Sequence, residues 1–487
     1  MHRRSHFFVT MLWTALLSFG LASPSAATTP DPAAARRPNV VLIFADDQCF
    51  DTLHSLGNLD IETPNLDRLV AKGLTFTHAY NMGSWTGAVC VASRAMLNTG
   101  RFLWHAQRVA DNAEKERAAG RFWSEYMRAA GYATYMTGKW HVTANTDKAF
   151  DFVAHVRGGM PNQTPEGYDR PIEGQPDPWK PWDTKFGGYW QSGRHWSKVL
   201  RDDAVGFLQQ AARSEKPFFM YLAFNAPHDP RQSPKEYVDK YPLDKVALPA
   251  NFLPEYPYKD AIGCGKNLRD EQTAPFPRTP YAIRVNRQEY YAIITHMDSQ
   301  IGRILDALQE SGKADSTYIF FTADQGLAVG QHGLMGKQNL YDAAVRVPMV
   351  VCGPGVPRNQ RLDGAVYLQD IMPTTLELAG IAKPDHVQFK SLLPMIRGQR
   401  DRNYDAIYGG YLTLQRMVTQ GDYKLLLYPK IARARLYNLK EDPLEMKDLA
   451  GDPRYAPVIE RLFARLLELQ KETGDSLDLT AVYAHLL

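Results

Sequence analysis

Cysteine is scarce: Cys49, Cys90, Cys264 and Cys352 are the only four in 487 residues. That leaves no room for a fold stapled by many disulfides, and their spacing does not say which would pair. Charge of one sign is lacking too. Lys and Arg number 56 against 53 Asp and Glu, a net charge of +3. No basic patch or nucleic-acid motif stands out, which sets nucleic acid aside as a partner. Apart from one stretch near the N-terminus, no apolar run approaches membrane length, so no stable membrane insertion is expected. Internal repeats are absent, and a repeat array is not the architecture. Apolar residues are plentiful instead. At 44% of the chain they can bury a large core. The length fits two or three domains, or one large α/β domain with an appendage.

The order of elements narrows this. Arg3 and Arg4 precede an apolar stretch over residues 7–21, and small residues follow to Ala27. This is a secretory signal pattern over residues 1–27, and it predicts an exported protein, periplasmic or secreted. An uncleaved anchor would need a longer run. Residues 39–45, NVVLIFA, read as a strand buried on both faces of a parallel sheet, as do 217–224 and 316–323. Helices are expected over 63–72, 122–130, 197–212, 288–309 and 370–379, and further strands over 132–137 and 347–352. Strands alternating with helices predict an α/β fold with a large, mainly parallel sheet sandwiched by helices, over residues 38–395. Residues 396–487 change pattern. Short strands at 406–411, 415–419, 423–428 and 435–439 and a closing helix at 455–471 predict a smaller α+β domain with an antiparallel sheet. Residues 158–195 and 242–280 read as long irregular stretches, a length that usually marks a functional loop or disorder.

Cys90 opens the run Cys90, Val91, Ala92, Ser93, Arg94. A helix starting there places residues 90 and 94 on one face, with the sulfur at a helix N-terminus that favours an anion. Arg94 adds a fixed charge with several donors suited to a tetrahedral oxyanion. Taken alone, such a cysteine is an ordinary buried residue. Asp46 and Asp47 end one predicted buried strand, and Asp324 and Gln325 end another. Ligand sites of open α/β sheets lie beyond the carboxyl ends of strands. If these two ends are adjacent, they gather three carboxylates and one amide oxygen, hard ligands suited to Ca²⁺ or Mg²⁺.

Several segments in order resemble the type I sulfatases, the formylglycine-dependent family of the alkaline-phosphatase-like superfamily. They are VVLIFADDQ, CVASR, TGKWHV, FNAPHDP, the stretch from FFTADQ to VRVP, and LYNLKEDPLEMKDLA, spanning residues 38–472. The resemblance implies a sulfuric ester hydrolase of the alkaline-phosphatase-like fold. It makes Asp46, Asp47, Asp324 and Gln325 metal ligands, usually of Ca²⁺, with modified Cys90 as a further contact. Gln325 stands where the family more often has Asn or His, and Gln is a poor Zn²⁺ ligand, which points away from a two-zinc phosphatase. Cys90 would be oxidised by a formylglycine-generating maturation enzyme of the host to 3-oxoalanine. Ala92 replaces the commoner Pro of that maturation signal. The hydrated aldehyde offers one hydroxyl to attack sulfur and a second to expel sulfate. With Cys90 consumed, at least one of the three remaining cysteines stays free or pairs between chains. By the same resemblance Lys139 binds sulfate and the diol, His141 assists elimination, and Arg94 fixes the diol. His228 and Lys337 hold sulfate and protonate the leaving oxygen, in an order the resemblance does not divide. Clustered cations are expected to keep Asp46, Asp47 and Asp324 ionised. His332, Trp104, His105 and Cys49 read as structural.

Four of the nine tryptophans, Trp179, Trp182, Trp190 and Trp196, fall in one Gly- and Pro-rich loop with Arg194 and His195. Aromatic rings stack on sugars and Arg clamps carboxylates. Two readings stand side by side: a pocket for a sulfated mono-, oligo- or polysaccharide, lined by Trp190, Arg194 and His195, or a mini-core that stiffens the loop. The expected activity is removal of sulfate from a sulfated carbohydrate. A phosphonate or phosphodiester hydrolase of the same superfold, and a glycan-binding homologue without catalysis, are the alternatives.

Overall fold

A computed structural model describes residues 37–159, 165–190 and 193–486. The signal pattern at 1–27 lies outside them. The run NVVLIFAD forms the strand Asn39–Asp46, buried throughout. It is central to an eight-stranded sheet, flanked in parallel by Phe218–Pro227 and Thr317–Ala323. Ala133–Lys139 and then Phe152–Arg157 continue the parallel side. On the other side Met349–Cys352 runs antiparallel to both Thr317–Ala323 and Leu74–Phe76, and Gln360–Leu362 closes the edge. The sheet is thus mixed, with five of its seven pairings parallel.

Helices cover both faces. Tyr135 and Met220 are register partners and share a face, where Phe207 of the helix Trp196–Ala212 meets Tyr135 at 5.1 Å. Phe219 and Tyr221 point the other way and meet Trp123 of the helix Trp123–Ala129. The long helix runs over Pro280–Glu310, starting well before residue 288. Thr279 caps it by accepting from the Ala282 amide, and Pro280 fills its first turn.

A second, five-stranded sheet holds the expected antiparallel strands Ala406–Tyr411, Gln415–Gln420, Tyr423–Tyr428 and Arg433–Asn438, with the helix Ala456–Thr473 packed on it. Its edge strand, Gly83–Ser84, comes from the N-terminal half. Gly83 has φ +92°, and a Cβ there would lie against the Gly410 carbonyl, so only glycine fits. A boundary between residues 395 and 396 stands as a proposal, and one sheet crosses it. Among the described residues no helix is long and apolar enough to cross a membrane.

Candidate active site

Four parallel strands end at one place. Asp46, Lys139 and His228 lie at or just past the carboxyl ends of Asn39–Asp46, Ala133–Lys139 and Phe218–Pro227, and Asp324 follows Thr317–Ala323. The helix Val89–Thr99 starts beside them, so Cys90 sits in its first turn, as the sequence predicts. Asp46, Asp47, Asp324, Gln325, Cys90, Arg94 and Lys139 are all buried.

The contacts are dense. Cys90 Sγ lies 3.3 Å from Asp46 Oδ1, 3.9 Å from Asp47 Oδ1, 3.4 Å from Lys139 Nζ and 3.2 Å from Gln325 Nε2. Lys139 pairs closely with Asp46. Arg94 donates from Nε to Asp324 at 2.9 Å and from Nη1 to the Lys139 carbonyl at 2.6 Å. Its Nη2 has no hydrogen-bond partner and stands 3.8 Å from Asp46. Lys337 Nζ reaches Asp47 and His228 Nε2, each at 2.6 Å. His228 Nδ1 faces the Asp229 carboxylate at 2.8 Å and its carbonyl at 3.0 Å. Both are acceptors, so Nδ1 carries the proton and Nε2 faces the cluster.

Backbone strain marks the same place. Asp47 and His141 have φ of +70° and +55°, uncommon for side chains with a Cβ. Tyr290 of the long helix holds Asp47 there: its hydroxyl donates to the Asp47 carbonyl at 2.7 Å and accepts from the Cys49 amide at 2.9 Å. His141 packs against Gly159, where a Cβ would fall 3.2 Å from Nε2. Its Nδ1 is buried without a partner. Burial, with Lys139 and Arg94 nearby, lowers His141 to about 3, so the ring is neutral.

The carboxylates diverge. Burial alone would raise Asp46, yet Lys139, His228 and Arg94 hold it well below the usual range. Asp324 departs from the expectation that clustered cations keep it ionised. Burial and the charges of Asp46 and Asp47 outweigh Arg94 and raise it to about 7. Burial and Asp46 also push the Cys90 thiol far up, so as a plain thiol it stays protonated and a poor nucleophile.

These residues fit a divalent cation. Ligand atoms of Asp46, Asp47, Cys90 and His228 all lie within 4.8 Å of one another. Gln325 Oε1 is buried with no partner, and Asp324 is short of positive charge. A cation among them would meet both needs.

Sequence reasoning missed the residues behind the cluster. Asp229 is held by Tyr168 Oη at 3.1 Å and by Arg269 at 3.5 Å. Asp270 stands 3.6 Å from Lys337 and accepts from Gln338 at 2.9 Å. Asp229, next to His228, was the one visible signal. The loop of tryptophans packs largely inward. Trp179 stacks on Phe186 at 4.6 Å, and Trp196 is buried under Trp190 and Arg157. His195 caps the helix Trp196–Ala212, with Nε2 bonded to the Gln232 carbonyl at 2.8 Å. Arg194 is exposed and paired with Asp202. That is the packing of a mini-core. His332 stacks on Tyr341 at 3.9 Å, Trp104 bonds Tyr408, and His105 bonds Gln388. All four cysteines are free and buried.

Carboxylates, cations and a histidine at the strand ends of a large α/β sheet are a set suited to the hydrolysis of an oxyanion ester. The sulfatase family model matches residues 38–381, and the C-terminal model of N-sulphoglucosamine sulphohydrolase matches 330–472. The chain belongs to the sulfatase family and is a sulfuric ester hydrolase. It is 25% identical to an N-acetylglucosamine-6-O-sulfatase of Bacteroides thetaiotaomicron, over 95% of this chain and 91% of that one. It is 30% identical to an arylsulfatase of Clostridium perfringens, over 88% and 93%. The fold matches a protein solved with its substrate D-glucosamine-2-N,6-O-disulfate, with a TM-score of 0.71 at 22% identity, over 90% of this chain and 99% of that one.

Proposed function

We propose that the chain removes sulfate from a sulfated carbohydrate, using formylglycine made from Cys90 and a divalent cation, Ca²⁺ rather than Mg²⁺. The observation that carries this is the placement of Cys90: a buried thiol held protonated, set among Asp46, Asp47, Lys139 and Gln325. The cation would be held by Asp46, Asp47, Asp324 and Gln325 beside residue 90. Matured and loaded, the site would hold a hydrated aldehyde as nucleophile and a cation able to polarise the ester oxygens.

The chain's own residues supply the rest. Lys139 binds a sulfate oxygen and the diol, and Arg94, with Nη2 spare, fixes the diol and offsets charge. Neutral His141 takes a proton from the second hydroxyl during elimination. His228, oriented by Asp229, and Lys337 face the leaving oxygen. The carbohydrate substrate is supported by the names of the N-acetylglucosamine-6-O-sulfatase and of the glucosamine disulfate complex. A formylglycine-generating enzyme is the maturation partner. The N-terminal signal pattern supports export to the periplasm or beyond.

Mass spectrometry on the tryptic peptide 73–94, from cells that hold the maturation enzyme, tests the nucleophile. An aldehyde or its hydrate is expected. An alkylatable Cys90 beside a converted control sulfatase overturns it. The ratio of kcat/KM for aryl sulfate over aryl phosphonate esters is expected to favour sulfate, and the reverse would make the phosphonate hydrolase the better reading.

A further inference from the structure

Away from the catalytic cluster, a groove of about 670 Å³ opens where the five-stranded sheet meets the loop before Cys90. Trp85, Trp104, Leu412 and Leu414 line it, and the exposed Arg108 borders it. The backbone explains why they meet. Ser84 and Tyr411 are register partners, and the Leu412 amide donates to the Ser84 carbonyl at 2.9 Å, so Trp85 and Leu412 emerge side by side. Trp104 is fixed by its Nε1 bond to Tyr408 Oη at 2.7 Å.

The charges in the groove do not cancel. Arg416 lies 4.7 Å from the Trp104 ring and is neutralised by Asp475 on two oxygens. Arg108 donates to the Gly474 carbonyl at 3.1 Å and has no acidic partner among the described residues. The groove thus offers aromatic walls and one uncompensated guanidinium. Aromatic faces suit sugar rings, and a guanidinium suits a sulfate or carboxylate.

We propose that this groove binds an anionic sugar unit of a sulfated glycan, apart from the unit whose ester is cleaved. It rests on the carbohydrate reading of the active site. The two sites share one segment: Gln338, next to Lys337, donates to the Gly87 carbonyl at 3.0 Å, between Trp85 and Cys90. The groove therefore anchors glycan on the same loop that ends in the nucleophile.

Binding is measured by calorimetry on the full chain carrying Cys90→Ala, which prevents turnover. The probes are oligosaccharides of heparin, chondroitin sulfate and carrageenan. At least one is expected to bind, more weakly as salt is raised. Adding Arg108→Gln or Trp85→Ala weakens it about tenfold, the scale of one charge-assisted bond or one lost aromatic contact. Trp85→Phe restores most of the loss, which a merely misfolded loop would not. No binding of any probe, or binding unchanged by Arg108→Gln and Trp85→Ala, overturns the proposal. If the groove binds while the matured enzyme desulfates aryl sulfate and no sugar, the carbohydrate reading of the active site fails and the groove stands.

Discussion

Arg94 and Arg416 are both buried guanidiniums facing a carboxylate, one beside Cys90 and the other under the C-terminal helix. Arg416 has a partner on every nitrogen. Nε and Nη2 go to Asp475 at 2.6 and 2.8 Å, and Nη1 goes to the Leu412 and Gln415 carbonyls. Arg94 keeps Nη2 free, and its partner Asp324 is raised to about 7. Asp475 is held low by Arg416 despite its burial. A closed knot stabilises the fold. An open one has capacity left for a ligand, and pays for it in unsatisfied atoms.

Removing each arginine separates the two roles. Arg94→Met is expected to cut kcat about 10²- to 10³-fold, the scale of a lost oxyanion donor. In the metal-free protein it costs less stability than the loss of Arg416, because Asp324 can keep its proton and Lys139 still holds Asp46. Arg416→Met strands Asp475 and costs about 3 kcal/mol or more in unfolding free energy, with kcat spared. Denaturant melts and single-substrate kinetics on both variants read this directly. Equal destabilisation by the two would erase the distinction.

Histidines extend the contrast at a smaller scale. His228 sits between Asp229 and Lys337, with Nε2 turned to the cluster. His195 and His332 are buried with no carboxylate partner, and burial, with cations nearby, lowers them to about 4 and about 3. Their folded values lie below the unfolded value of about 6.5. The unfolded chain therefore binds more protons in acid, so their contribution is complete above pH 6.5 and is lost as pH falls toward 4. The part of the melting temperature that these two histidines set should be level above pH 6.5 and decline below it. His195→Gln with His332→Asn should flatten that decline; an unaltered slope would place its source elsewhere.

The sequence made the first ring of this site legible and hid the second. Asp46, Asp47, Asp324 and Gln325 follow apolar runs that could only be buried strands, and such strands end where α/β sheets bind ligands. Cys90 and Arg94 are one helical turn apart, a local relation. Asp229 orients His228, Tyr290 holds Asp47, and Asp270 approaches Lys337, all through tertiary packing that no spacing records. The fold shows the same division. Buried runs gave the parallel strands, while the antiparallel Met349–Cys352 and the borrowed Gly83–Ser84 depend on distant partners. The loop of tryptophans was legible in composition alone, and composition does not distinguish rings that face a ligand from rings that face each other.

That loop gives the smallest effect. Arg194 is exposed and paired with Asp202, beside Trp190 on Trp196. An exposed ion pair contributes little, so Arg194→Ala should move stability by less than about 1 kcal/mol. If the loop is a mini-core, KM for a sulfated sugar should change less than about threefold, since a guanidinium already engaged by Asp202 gains little from an anionic substrate. A larger rise in KM with kcat unchanged would mean that Arg194 leaves Asp202 to clamp substrate, and would turn this loop from scaffold into pocket wall. The substrate contacts would then be divided between two loops far apart in sequence, and the proposed groove at Trp85 would be joined by a second aromatic surface.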